Sequence, residues 1–310
     1  MKRLLITGAT GFVGRPALEL LVRNGYELHA VARKRQPAHP GVQWHTWDLH
    51  DENSVPTLFA DVKPTHMMHF AWYAEHRKYW TAPENVDWLE ASLAMMRAFK
   101  HYGGHRIVVA GTCAEYAWDT NGFCTEGVTP LRPRTLYGNC KNALQASLSA
   151  YSREVGLSSA WGRIFFPYGP HEYPSRLVPS VIRSLLKGEV ARCTSGEQIR
   201  DFIHVEDVAG AFVALLDSRV EGPVNIGSGI GVPVKDVALR IGKLLGRTGL
   251  VELGARAAPD GDPPLLVANV DRLTKEVGWR PSLTLDEGLA ATIEWWRAHL
   301  MRRPETHKDH

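Results

Sequence analysis

Residues 7–14 read TGATGFVG, and the apolar run RLLI stands directly before them. Glycine recurs at every third position of this stretch, with the spacing Gly-x-x-Gly-x-x-Gly. A glycine turn between a strand and a helix lets backbone approach a pyrophosphate, and the helix N-terminus offers free N–H groups to the phosphates. The stretch therefore predicts a dinucleotide-binding turn, with a purely structural glycine turn as the alternative. The residues assigned to it are Gly8, Thr10, Gly11, Phe12, Val13 and Gly14.

Beyond this turn the chain alternates short apolar runs with longer amphipathic ones. Such alternation predicts an α/β fold in which a Rossmann-type, doubly wound parallel sheet carries helices on both faces. After residue 167 the rhythm changes to a proline-rich segment. We predict a dinucleotide-binding domain over 1–167 and a smaller, interleaved C-terminal substrate-binding lobe over 168–310. Part of 200–230 is expected to pack back on the main sheet.

Composition excludes several classes of function. The 310 residues carry 36 basic and 33 acidic side chains, a balance that indicates neither nucleic-acid nor membrane binding. No apolar run approaches the ~20 residues that cross a bilayer, and no signal peptide is visible, so we expect a cytoplasmic protein. The four cysteines lack the spacing of a metal site. Free thiols and no metal are therefore predicted.

The end of the second predicted strand bears on the choice of cofactor. An acidic residue there binds the ribose diol of NAD, but this chain has Arg33, Lys34 and Arg35 instead. A 2′-phosphate needs cations, so NADP(H) is favoured, NAD(H) stays possible, and a solvated basic loop is the structural alternative. Asp48 and Leu49, after the third predicted strand, are candidates for adenine contact.

A catalytic group is predicted after the fifth strand. Thr112 lies at the end of that strand, and Tyr137 and Lys141 are four positions apart, so they share one face of a helix. A nearby ammonium stabilises a phenolate and lowers the phenol pKa from its usual value of ~10. Tyr137 then exchanges a proton with a substrate oxygen to which Thr112 donates a hydrogen bond. The structural alternative is a packed tyrosine and a surface lysine.

Further motifs run nearly end to end: HFAW at 69–72, GTCAEY at 111–116, YGNCK at 137–141, RIFFPYGP at 163–170, RDFIHVEDV at 200–208 and NIGSG at 225–229. With these motifs the sequence resembles the extended short-chain dehydrogenase/reductase superfamily, in its NAD-dependent epimerase/dehydratase branch. The resemblance implies a nucleoside-diphosphate sugar as substrate. It also implies a homodimer in which helices predicted over 83–103 and 135–155 form a four-helix bundle.

The resemblance implies further site residues. Arg200 is expected to contact the nucleotide or its phosphates, and Arg256 the pyrophosphate. Beside the cofactor we expect Phe70, Ala71, Trp72, Tyr137, Lys141, Phe165 and Pro167. The substrate set is Trp72, Thr112, Cys113, Phe166, Arg176, Arg200 and Arg256.

At two positions the sequence departs from the family pattern, and these departures reduce the number of reactions that the resemblance implies. Dehydratases of this branch carry an Asp-Glu pair after the catalytic threonine, whereas this chain has Cys113 and Ala114. Glu115 follows one position later and, on an extended backbone, is expected to face the other way. Epimerases of the family carry an asparagine where this chain has Phe166.

The pair GTCAEY and FAWYAEHRKYW is more similar to a subgroup of 4-ketoreductases that act on 4-keto-6-deoxy sugars. The segment shapes the sugar pocket or forms an ordinary lid loop; its candidates are Trp72, Tyr73, His76, Tyr79 and Trp80.

These observations lead to one main hypothesis, NADPH-dependent reduction of a nucleoside-diphosphate 4-keto-6-deoxyhexose at C4. In it Tyr137 protonates the C4 oxygen, Lys141 lowers the Tyr137 pKa, and Thr112 orients the keto oxygen. The first alternative is an NAD-dependent nucleotide-sugar 4-epimerase. The second is a non-catalytic, NADP-binding regulatory protein.

Overall fold

The computed structural model describes residues 2–51, 53–119, 122–258 and 261–302. The strands in these ranges are β1 (Arg3–Thr7), β2 (Glu27–Ala32), β3 (Val42–Thr46), β4 (His66–His69), β5 (Arg106–Thr112), β6 (Ser158–Ile164), β7 (Phe166–Tyr168), β8 (Ala191–Arg192), β9 (Ile199–His204), β10 (Gly222–Ile226), β11 (Gly231–Pro233), β12 (Val251–Glu252) and β13 (Leu265–Leu266). The helices are α1 (Gly14–Arg23), α2 (Ser54–Val62), α3 (Glu84–His101), α4 (Leu136–Val155), α5 (Leu177–Lys187), α6 (Val205–Asp217), α7 (Val234–Leu244) and α8 (Leu285–Arg302).

Seven of the strands form one sheet in the order β10-β6-β5-β4-β1-β2-β3, and every neighbouring pair is parallel. The direction of winding reverses between β1 and β4, as in Rossmann-type sheets. The predicted doubly wound parallel sheet is confirmed. The two long helices begin and end close to their predicted positions, over 84–101 and 136–155.

Strand β1 explains why helices cover both faces of the sheet. Its residues Leu4 and Ile6 pack in a core with α1 and α6, whereas Leu5 packs on the opposite face with α2, α3 and α4. Side chains alternate across a strand, so a strand that is apolar at consecutive positions needs two covers. All three side chains are fully buried.

The C-terminal part has a core of its own, in which α5, α7 and α8 pack together around Val181, Ile241 and Ile293. Strands β11, β9 and β13 form a small sheet, β7 also pairs with β9, and β12 pairs with β8. This lobe is interleaved with the main domain. Helix α6 packs on α1, and β10 pairs with β6 at the edge of the large sheet.

The four cysteines are buried free thiols. Among the described residues, no three His, Cys, Asp or Glu side chains are placed to hold a metal ion. In the same part of the chain no helix combines the length and the apolar character that crossing a membrane requires.

Candidate active site

A cleft of about 420 Å³ opens at the carboxyl ends of β1 and β4. This is where doubly wound sheets bind ligands, because the loops leaving the two strands diverge there. The predicted residues that line it are Gly8, Thr10, Gly11, Phe12, Val13, Gly14, Arg33, Asp48, Leu49, Phe70, Ala71, Trp72, Thr112, Tyr137, Lys141, Phe165, Pro167 and Arg176.

The glycine turn is shaped by close backbone packing. Gly8 has φ +69°, and a Cβ on it would lie 2.6 Å from the backbone nitrogen of Ala71, at the end of β4. The Gly11 N–H donates to the Gly8 carbonyl at 2.9 Å. A Cβ on Gly14 would overlap that same carbonyl oxygen. The turn therefore presents bare backbone to the cleft at the start of α1, and this fits a dinucleotide pyrophosphate.

The far end of the cleft fits the adenosine half of such a cofactor. Arg33 follows β2 and lines the cleft, and no acidic residue stands at this strand end. Asp48 and Leu49 line the same region, where Leu49 is buried and Asp48 exposed. Lys34 is exposed and does not line the cleft.

The start of α4 and the end of β5 position the catalytic candidates. Thr135 caps α4, because its hydroxyl accepts the Gly138 N–H at 3.1 Å. A Cβ on Gly138 would lie 2.6 Å from the carbonyl oxygen of Ala114, so only glycine lets α4 pack this closely on the turn after β5. This close packing brings Tyr137 and Thr112 to the same end of the cleft.

Tyr137 lies among aromatic rings. The ring centroids of Tyr79, Trp80 and Trp72 lie 5.0, 5.8 and 6.5 Å from its own, each in an edge-to-face arrangement. Burial among these groups raises the pKa of the Tyr137 phenol above its usual value, Tyr79 adds to the rise, and a hydrogen bond with Thr112 opposes it. The expected lowering of this pKa is therefore wrong.

The position of Lys141 explains why the pKa of Tyr137 is not lowered. Its buried ammonium donates to the Ala110 carbonyl at 2.9 Å and lies 3.7 Å from the ring centroid of Trp72. Burial lowers the pKa of Lys141 to about 7, and Glu115 opposes the shift. Tyr137 and Lys141 share one face of α4, but the ammonium is directed at the Ala110 carbonyl and the Trp72 indole.

Glu115 has a structural role that the sequence did not predict. The prediction assumed extended backbone after Thr112, but residues 113–115 form a 3₁₀ turn, and this turn sets the direction of the Glu115 side chain. Its carboxylate accepts the Thr112 N–H at 2.9 Å and pairs with the Arg163 guanidinium at 2.7 Å. Glu115 and Arg163 are both fully buried, at 0% and 1% exposure, and together they fix the end of β5.

Arg176, the residue before α5, lines the cleft. The Arg176 side chain pairs with the buried Glu172 carboxylate at 3.1 Å. Burial raises the pKa of Glu172 to about 8, and Arg176 opposes the rise. Burial raises the pKa of Tyr79, which also lines the cleft, to about 12, and Arg176 opposes the rise.

Four predicted substrate residues do not line the cleft. Cys113 is buried, and burial raises the pKa of its thiol. Arg200 pairs with Asp262 at 2.6 Å and stacks on Phe166 with 5.3 Å from its guanidinium carbon to the ring centroid. Arg256 is exposed, and its backbone N–H donates to the Cys193 carbonyl.

The structure adds cleft residues that motif analysis missed, and two of them are tryptophans. Trp47 precedes Asp48, and Trp88 comes from α3, where it is one of several apolar residues with no distinguishing motif. Of the aromatic side chains in the segment 70–80, Phe70, Trp72, Tyr73 and Tyr79 line the cleft. His76 stacks on Tyr173.

A sequence model of the NAD dependent epimerase/dehydratase family matches residues 4–227. The chain belongs to this family, within the extended short-chain dehydrogenase/reductase superfamily. It is an NAD(P)-dependent enzyme of the oxidoreductase type, with chemistry of the nucleotide-sugar epimerase/dehydratase kind.

Three similar proteins cover nearly the whole chain. UDP-glucuronic acid decarboxylase 1 of Xenopus tropicalis is 30% identical over 96% of this chain and 73% of its own length. CDP-abequose synthase of Salmonella typhimurium is 27% identical over 94% of this chain and 97% of its own. The structure of UDP-glucose 4-epimerase from Thermus thermophilus in complex with NAD is 29% identical, with a TM-score of 0.85, over 95% of this chain and 99% of that one.

Proposed function

We propose that this enzyme transfers a hydride at C4 of a nucleoside-diphosphate hexose. The observation that carries the proposal is the grouping of Thr112, Tyr137 and Lys141 at one end of a cleft whose other wall is the glycine turn. When bound, a nicotinamide dinucleotide supplies or accepts the hydride. The residues that would hold it are those of the glycine turn, Arg33 and Asp48 at the adenosine end, and Lys141 at the nicotinamide ribose.

The proton moves between Tyr137 and the C4 oxygen. A phenol with a raised pKa is protonated at neutral pH, which is the form that donates to a ketone during reduction. Oxidation of the alcohol needs the phenolate, and the positive charge of Lys141, on the same face of α4, stabilises that form. Thr112 holds the C4 oxygen in place.

Elimination of water is not supported by this cleft. Dehydration needs an acid and a base beside the catalytic threonine, but that turn holds a buried thiol at Cys113 and the methyl group of Ala114. Among the described residues that line the cleft, Asp48 is the only carboxylate, and it stands at the adenosine end. The proposed reaction is therefore confined to C4 oxidation and reduction.

Two finer reactions fit this chemistry. Epimerisation at C4 with a retained cofactor is supported by the similarity to a UDP-glucose 4-epimerase in complex with NAD. NADPH-dependent reduction of a 4-keto-6-deoxyhexose is favoured by the basic end of β2, because net reduction consumes a hydride at each turnover. Phe166 also favours reduction, because epimerases of the family are expected to carry an amide there.

The two reactions differ in the fate of the cofactor. Incubation of the pure protein with UDP- and CDP-hexoses, followed by NMR of the sugar, is expected to show the 4-epimer without net change in cofactor for an epimerase. NADPH loss in proportion to a 4-keto-6-deoxy sugar, with no epimer formed, is the result expected for a reductase. The similar proteins include one named for a UDP-sugar and one named for a CDP-sugar, so the panel contains both uridine and cytidine nucleotides.

Arg33 is proposed to select NADP(H). Arg33→Asp removes the cation that would bind the 2′-phosphate and adds a carboxylate that repels it. The affinity for NADPH is therefore expected to fall about 10–100-fold, while the affinity for NADH is kept. Titration of both cofactors by fluorescence measures this. Arg35→Asp makes the same charge change outside the cleft lining and is expected to have a smaller effect. An equal loss for both cofactors in Arg33→Asp would contradict the assignment.

We also propose that the enzyme is a homodimer formed through α3 and α4. The two helices pack side by side in this chain, so a second copy completes a four-helix bundle. Light scattering of the pure protein tests this proposal, and a monomer at micromolar concentration would contradict it.

A further inference from the structure

Trp72 has no role in the proposed proton and hydride transfer. Its ring nevertheless lies closer to the Lys141 ammonium than the ring of Trp161 does. The ammonium is 3.7 Å from the ring centroid of Trp72 and 6.0 Å from that of Trp161. The face of an indole attracts a cation more strongly than the face of any other aromatic side chain. The buried Lys141 ammonium therefore has two indole rings within 6.0 Å, and that of Trp72 is the nearer.

The ring is held in place by a fixed anchor. The Trp72 indole N–H donates to the Asn85 side-chain oxygen at 2.8 Å. Asn85 is fully buried at the start of α3, and its amide donates to the carbonyls of Tyr79 and Ala82 at 2.7 Å each. Every polar atom of the Asn85 amide is thus committed, so the indole plane is set by the loop that precedes α3.

The Lys141 ammonium needs such support. An ammonium has three donors, and among the described residues the Lys141 ammonium has one hydrogen-bond acceptor, the Ala110 carbonyl. Glu115 from the 3₁₀ turn and His69 from β4 interact electrostatically with this ammonium, and Tyr137 stands four positions earlier on the same helix. Glu115 is already paired with Arg163, and burial holds the pKa of His69 at about 3, so His69 is neutral.

We propose that Trp72 is a positioning residue whose indole face, anchored by Asn85, keeps the buried Lys141 ammonium charged and placed for the reaction. This inference rests on the proposed function for the role of Lys141 but not for its protonation. It assigns the tryptophan of the HFAW motif to the catalytic lysine rather than to the sugar. Two effects on the pKa of Lys141 oppose each other, because burial favours the neutral amine and the indole face favours the cation.

The test compares Trp72→Leu with Trp72→Phe. Leucine keeps the site apolar without a π face, so the pKa of Lys141 is expected to fall by about one unit or more, whereas phenylalanine restores part of it. The lysine Nζ signal in ¹⁵N NMR, assigned by its loss in Lys141→Arg, measures this directly. A pKa that is unchanged or raised in Trp72→Leu would overturn the inference.

A second measurement serves if Trp72→Leu does not fold. Biosynthetic incorporation of fluorinated tryptophans withdraws charge from the indole face with little change in shape, and the Lys141 pKa is expected to fall with each added fluorine. No dependence on fluorine number overturns the inference.

Kinetics separate this inference from the proposed function. Reduction leaves a phenolate on Tyr137 that the Lys141 ammonium stabilises, so the upper limb of the pH profile of kcat follows the loss of this ammonium. That limb is expected to move to lower pH by about one unit in Trp72→Leu and less in Trp72→Phe. A wild-type protein without turnover on any nucleotide sugar would end the proposed function and leave the NMR result to decide the role of Trp72.

Discussion

Tyr137→Phe is expected to lower kcat by about 10²–10⁴-fold and to leave cofactor affinity unchanged. The substitution removes only the phenolic hydroxyl that exchanges a proton with the C4 oxygen. The edge-to-face contacts with Tyr79 and Trp80 persist, so the fold of the site is kept. Steady-state turnover and cofactor titration on the same preparation measure the two quantities.

Tyr151→Phe is the matched control. Tyr151 lies on α4, packs against the core that α4 shares with α2 and α3, and does not line the cleft. Its turnover is expected to match that of the wild type. If Tyr137→Phe also turned over normally, the assignment of the general acid would be wrong. A wild-type protein that binds cofactor but never turns over would instead favour the non-catalytic regulatory alternative.

Glu115→Ala is expected to destabilise the protein by about 3–5 kcal/mol, the largest loss of stability among the changes considered. The substitution leaves the Arg163 guanidinium buried without its partner, and it also removes the acceptor for the Thr112 N–H and the Trp161 indole N–H. Chemical denaturation measures the free energy of unfolding.

Two further variants isolate the cause. Asp119→Ala removes an exposed partner of Arg132 and is expected to cost about 0–1 kcal/mol. The double variant Glu115→Leu with Arg163→Met removes both buried charges and is expected to recover much of the stability that Glu115→Ala loses. A Glu115→Ala protein as stable as Asp119→Ala would show that the buried pair does not hold the end of β5.

The fold was predictable from local sequence because the signals that decide it are local. The run before Gly8 is apolar at consecutive positions, and the glycine spacing demands a strand, a tight turn and a helix in that order. Tyr137 and Lys141 share a face wherever a helix carries them. The parallel sheet then follows from the strand–helix alternation.

The surroundings of these residues were less predictable because they depend on distant parts of the chain. Glu115 faces Arg163, which is 48 positions away, and its orientation depends on a 3₁₀ turn whose capping box is set by Thr112. The Tyr137 pKa depends on rings contributed by residues 72–80, so the neighbouring lysine alone predicted the wrong direction. Arg200 was expected beside the nucleotide, but its partner Asp262 is 62 positions away.

The most direct test of hydride transfer at C4 is the nicotinamide absorbance of the cofactor-saturated protein as nucleoside-diphosphate hexoses and their 4-keto-6-deoxy forms are added one at a time. We expect at least one sugar to change the oxidation state of the nicotinamide, lastingly in a reductase and transiently in an epimerase, and Tyr137→Phe with the same sugar to show neither change. A protein that stays saturated with cofactor and shows no change with any of these sugars would contradict it.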